Sequence, residues 1–217
     1  MAVHRQIAAP RSGWPTVRAL TGGGTTGNEL LTATAGGVLI VLLAAIGVTI
    51  VAIRPLLWVH LFLGMLLIGP VALKLGSTGY RFIRYYTANP SYQRKGPPPL
   101  PLRLIAPIVV LTTVVVFASG VALLFAGPGS RATLLPVHKA SFILWVAFTG
   151  LHVLAHLPTV LRGLRSDYGR SPQWSHEADG RAGRVLSLAG ALTGGVVLAI
   201  LLIPQFGPWI HAHNLHH

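Results

Sequence analysis

Three histidines lie within one apolar run, Leu134 to Leu161 (LLPVHKASFILWVAFTGLHVLAHLPTVL): His138, His152 and His156. A fourth, His60, sits in a second apolar run, LLWVHLFLGMLLIGPVALKL. On an α-helix, at about 100° per residue, His138 and His156 point the same way and His152 lies about 40° from them. One face of one helix therefore carries imidazole at two levels, roughly 21 to 27 Å apart at 1.5 Å per residue. Ionisable side chains are costly in a bilayer, so they turn toward the protein interior and serve a function there. Neutral imidazole at such a place is a metal ligand, and two of them on facing helices suit the two axial positions of a haem iron.

The elements that carry these histidines follow from composition. The chain has 217 residues, 52% hydrophobic and only 10% charged, with a mean hydropathy of +0.64. Soluble domains carry about a quarter charged residues. Several apolar runs of about twenty residues predict an all-α integral membrane protein with five transmembrane helices. Their expected spans are about 29–53, 56–75, 104–125, 134–161 and 185–203, forming one transmembrane domain over 29–203. Residues 1–28 read as a flexible basic tail rather than a cleaved signal peptide. Residues 204–217 read as a His-rich tail. Arg54-Pro55 breaks the first helix from the second, and Pro107 and Pro136 suit first turns. Gly36, Gly37 and Gly47 in the first helix, and Gly190 and Gly194 in the fifth, are spaced for close helix contacts.

The net charge of +13 is explained by topology rather than by nucleic acid. Fourteen basic residues fall in 1–28, 74–103 and 162–184, against Arg54, Arg131 and Lys139 on the other side. The positive-inside rule then predicts a cytoplasmic N-terminus and an extracytoplasmic C-terminus in a bacterial cytoplasmic membrane. Tyr80, Phe82, Tyr85, Tyr86 and Tyr92 among the arginines of the first long loop suit lipid headgroups, or a cytoplasmic protein partner. Without cysteine there is no disulfide, thiolate metal site, Fe–S cluster or covalent haem link.

In that topology His60 and His138 share a depth near the outer surface, on different helices. They are the candidate axial ligands of one haem b. Gly64, one turn from His60, leaves room on its face, and Arg54, Arg131 and Lys139 at that end can pair with haem propionates. The inner level is less complete, because no other span offers a histidine opposite His152 or His156. It stays open between a second haem with one protein ligand and a quinone pocket. The bland reading of each histidine is a hydrogen bond to a backbone carbonyl; for His156 that carbonyl is Leu154, which Pro158 deprives of its usual partner. In the C-terminal tail, His211, His213, His216 and His217 form a weak candidate metal site without neighbouring acids.

This pattern resembles the membrane b-type cytochrome subunits of bacterial formate dehydrogenases and nickel-iron hydrogenases, and related four-helix haem proteins. In that group a late helix carries two histidines fourteen residues apart, matched by His138 and His152, and an earlier helix carries the outer partner, matched by His60. The group's inner haem takes its other ligand from the first helix, which here has no histidine. The resemblance covers about residues 30–160. It implies electron transfer between the quinone pool and an extracytoplasmic redox partner. The expected arrangement is four helices forming a haem-bearing bundle with the fifth at its edge, and a redox subunit on either side of the membrane is a candidate partner. A membrane transporter or metal-handling protein, using the intramembrane and C-terminal histidines, and a non-catalytic membrane anchor subunit are the alternatives.

Overall fold

The computed structural model describes residues 23–94, 96, 100–167 and 180–214; the side chains of 101, 128, 156–167 and 211–214 also lie outside that description. Among the described residues the chain is helical, without strands. Its helices are α1 (Gly24–Val51), α2 (Ile53–Tyr86), α3 (Pro90–Gln93), α4 (Leu100–Phe125), α5 (Pro128–Asp167), α6 (Arg181–Leu202) and α7 (Gly207–Asn214). Five of them, α1, α2, α4, α5 and α6, are long and apolar enough to cross a membrane. Large aliphatic side chains such as Val41, Leu104, Ile143 and Leu201 remain exposed along them, as lipid-facing surfaces require.

The helices pair in sequence order. The chain reverses between α1 and α2 within one residue, Ala52, and Pro55 falls in the first turn of α2, where its missing N–H costs nothing. The two helices then run antiparallel in a regular register. Thr49 meets His60, Ile46 lies at Gly64, Lys74 reaches Gly36, and Thr32 meets Ser77. A second antiparallel pair, α4 and α5, is joined through Ala126 and Gly127 alone. Its seam includes Trp145 donating its indole N–H to Thr113 Oγ1 at 2.9 Å.

Helix α6 packs closely against α2. A Cβ added to Gly69 would collide with the carbonyl oxygen of Ala191, and one added to Gly195 would collide with that of Leu66. Pro70, fully buried beside this crossing, explains part of it. Leu66 is four residues before Pro70, so its carbonyl has no helical N–H partner and is free to lean on the α-carbon of Gly195. The expected contact residues Gly190 and Gly194 face open space instead, as do Gly37 and Gly47.

Two expected loops, 76–103 and 126–133, are mostly helix. α2 continues past the expected end at residue 75 to Tyr86, and α5 begins at Pro128 and runs 40 residues, about 60 Å at 1.5 Å per residue. Both exceed the hydrocarbon core of about 30 Å and project beyond it. The segment after α6 is also not a loose tail. A 3₁₀ turn at Ile203–Gln205 turns the chain back, and Phe206 is buried to 1% exposure against Met65, Leu66, Leu124 and Ala199. Trp58 meets Phe206 edge-on at 6.1 Å and stacks on Phe62 at 5.3 Å. This aromatic cluster closes the end of the bundle at which α1 and α4 finish and α2 and α5 begin. Of the expected tail 1–28, residues 1–22 lie outside the described residues and residues 24–28 already belong to α1.

Candidate functional site

His60 and His138 both lie near that aromatic end, each one to three turns into its helix, and each is held by a hydroxyl from the helix paired with its own. Thr49 on α1 stands 2.8 Å from His60 Nδ1, and its hydroxyl proton is directed to the Ile46 carbonyl at 2.5 Å. Ser119 on α4 stands 3.0 Å from His138 Nδ1, and its proton is directed to the Val116 carbonyl at 3.1 Å. The Val116 carbonyl itself also lies within reach of the His138 ring. A hydroxyl has one proton. When that proton goes to the backbone carbonyl, the oxygen accepts from Nδ1–H, and the ring is then the tautomer whose lone pair is on Nε2.

This is the state that a metal-ligating histidine occupies, with one nitrogen orienting the ring through a second group and the other presenting a lone pair. The two imidazoles are also near enough for charge on one to act on the other. Local packing leaves room for the rings. A Cβ on Gly120 would press on His138 Cε1 at 3.2 Å, so glycine there makes space for the imidazole. A Cβ on Gly64 would touch only Ile46 Cδ1, at 4.0 Å; Gly64 opens the α1 side of α2, the same side on which His60 is held. Of the three expected cations, Arg54 and Lys139 are exposed. Arg131 is engaged: its Nε donates to the Ala126 carbonyl at 3.1 Å, and its guanidinium lies 4.0 Å over the Trp209 ring of α7.

His152 is partly buried on α5, four turns beyond His138. No other histidine of a described span stands at its level. The backbone of His156 continues α5, but its side chain, and those of His211 and His213, lie outside the described residues, as do His216 and His217. Among the described residues no three metal-ligating side chains gather.

No protein family, curated protein or solved structure matches the chain.

Two residues that hold the imidazoles, and a lysine deeper in the bundle, escape a reading of histidines alone. Thr49 and Ser119 are ordinary hydroxyls in apolar helices, and only pairing of the helices shows that they address imidazoles. The lysine is Lys74, which by charge counting belongs to a surface loop. It lies inside α2, fourteen residues after His60 and about 40° round the helix from it, on the face turned to α1. Its ammonium donates to the Thr32 carbonyl at 2.5 Å, in space left by Gly36. Asn28 and Ser77 extend this polar seam, Asn28 Nδ2 donating to the Ser77 carbonyl at 3.2 Å and the Thr32 and Ser77 hydroxyls meeting at 3.0 Å.

Proposed function

We propose that the chain is a membrane electron-transfer subunit of the b-type cytochrome kind, with His60 and His138 as the two axial ligands of one haem b. The observation that carries this reading is the matched hydroxyl support of the two imidazoles, which leaves Nε2 of each as a lone-pair donor at one end of the bundle. A histidine kept only to satisfy a backbone carbonyl would not need a hydroxyl whose own proton is already committed. Haem b supplies a reversible one-electron couple when bound. The protein's part is to fix the ring planes through Thr49 and Ser119, to give the rings space through Gly64 and Gly120, and to exclude water by the apolar and aromatic packing at that end. Arg54 and Lys139 remain available to propionate carboxylates, and Arg131 only after leaving its place over Trp209.

In this reading the basic end of the bundle, with Arg81, Arg84 and Arg94, is cytoplasmic, and the haem lies near the opposite surface. Electrons pass between the quinone pool and a partner redox subunit. His152, on the same helix as His138 and at the depth of Lys74, is the residue placed for a second redox group or a quinone.

The test is an absorption spectrum of the purified chain in detergent after dithionite reduction. A sharp α-band of low-spin haem b is expected, absent in His60→Ala and in His138→Ala and retained in His152→Ala. A spectrum without a Soret band after expression with ample haem overturns the proposal.

A further inference from the structure

At the end of the bundle away from His60 and His138, a cavity of about 610 Å³ opens between the first turns of α1 and α6 and the corner where α2 gives way to α3. We infer that this cavity is a binding site for the phosphate group of a phosphorylated ligand. It does not depend on the haem reading.

The first observation is cationic. Arg84 and Arg184 both line the cavity. The Nε of Arg84 is buried and has no hydrogen-bond partner, while the guanidinium lies 5.9 Å from the Tyr80 ring centroid, which helps to hold its plane. Arg84 and Arg184 bring two guanidinium groups to the lining, and a tetrahedral oxyanion is the acceptor whose spacing fits the guanidinium fork. The carboxylate on α1, Glu29, is not part of the lining and pairs with Arg81 at 3.6 Å.

The second observation is the lining itself. α1 and α6 both begin here, each after a glycine in the left-handed region (Gly23, φ 97°; Gly180, φ 74°), and neither start is capped by a side chain. The first amide N–H groups of each helix have no intrahelical acceptor, and two positive helix ends face one space. The opposite wall is positioned by an unusual corner. Ala88 takes a left-handed φ of 59°, and the Asn89 amide closes back on the Arg84 carbonyl at 3.1 Å. This ends α2 at Tyr86, two residues after Arg84, and turns Tyr92 inward to 9% exposure against Tyr80. The Tyr92 phenol is a proton donor at neutral pH, as tyrosine ordinarily is, and burial raises it further. The volume exceeds what a bare phosphate ion fills and is in the range of small-molecule sites, so a phosphate ester fits better than the ion alone. The ester is either a phospholipid headgroup or a soluble metabolite.

The full chain, purified and delipidated in detergent, distinguishes these sources by thermal unfolding. Phosphatidylglycerol in mixed micelles is titrated against oleate, and glycerol phosphate against chloride at equal ionic strength. A saturable rise in melting temperature is expected with a phosphate-bearing probe and not with its control. A rise with phosphatidylglycerol alone assigns a lipid headgroup, and a rise with glycerol phosphate as well assigns the phosphate ester irrespective of the acyl chains. Arg84→Gln is expected to raise the half-saturating concentration about tenfold or more, the effect of losing a charged hydrogen-bond donor. Ser187→Asp, which puts a carboxylate into the lining without touching Arg84, is expected to do the same. Arg103→Gln, an exposed arginine on α4 outside the cavity, should bind as the wild type does. Absence of any phosphate-specific rise, or equal binding by the wild type and both cavity variants, overturns the inference.

Discussion

At His60 and His138 the decisive atom is the hydroxyl oxygen on the other side of Nδ1. A hydrogen bond accepted from Nδ1–H both fixes the ring and raises the electron density at Nε2, and loss of such an outer partner typically costs about 10–100-fold in metal affinity. Thr49→Val keeps the shape of the side chain and removes the acceptor, and Ser119→Ala does the same at His138. If the chain holds the proposed haem, each variant is expected to lose it to apomyoglobin about tenfold faster or more, and to show a higher reduction potential because the imidazole that would ligate it donates less to the ferric state. Both are read on protein that has kept its melting temperature; unchanged haem retention and potential in both variants would reduce the two hydroxyls to packing. The histidines, their shared face and their common depth are legible in the sequence, because period and charge sign determine them. The hydroxyls are not, since nothing in an apolar run separates Thr49 from Thr34, whose hydroxyl simply returns to its own helix at Leu30. Lys74 was misleading for a related reason. Its charge suggests a surface, but its position round α2 places it on the buried face toward α1.

Between elements, the α2–α6 crossing rests on two backbone contacts that only glycine permits. Gly195→Ala forces a methyl group into the Leu66 carbonyl, a backbone atom with little freedom to give way, and overpacking of this kind costs roughly 1–3 kcal/mol. Gly194→Ala, one residue away, meets nothing within 4 Å. Thermal unfolding in detergent should therefore show a lowered melting temperature for Gly195→Ala and for Gly69→Ala, and none for Gly194→Ala. Equal behaviour of the neighbouring pair would mean that the two glycine contacts do not hold the crossing together. Sequence spacing finds the small residues of α6 but not the side that is used. Gly190 and Gly194 have the right interval, and Ala191 and Gly195, with the same interval one residue on, make the contact. The choice is made on α2, where Pro70 frees the Leu66 carbonyl. The helical course of the first long loop has a different reason. Hydropathy falls at Lys74 and again before Leu134, but a fall in hydropathy marks the edge of the lipid, not the end of a helix. Without a proline between Pro70 and Pro90, α2 has no reason to stop until the corner at Ala88.

Across the whole molecule the charge asymmetry and the helix directions make one prediction. Arg81, Arg84, Arg94 and Arg103 gather where α1, α4 and α6 begin, while Arg54, Arg131 and Lys139 gather where those helices finish. Moving a run of arginines across a membrane is opposed, so the first end is expected to be cytoplasmic, and the proposed haem is expected at the far surface with the phosphate site at the near one. The absence of cysteine makes the test direct, because any thiol is an introduced one. Thr87, at the end of α2, and Ser130, in the first turn of α5, are both exposed and lie at opposite ends. In intact spheroplasts Ser130→Cys should react with a membrane-impermeant maleimide, while Thr87→Cys should react only with a permeant one or after lysis. The reverse pattern would place His60 and His138 near the cytoplasm and direct their electrons to a partner on that side. Reaction of both thiols in intact spheroplasts would contradict an odd number of crossings, and with it the five-span reading of these helices.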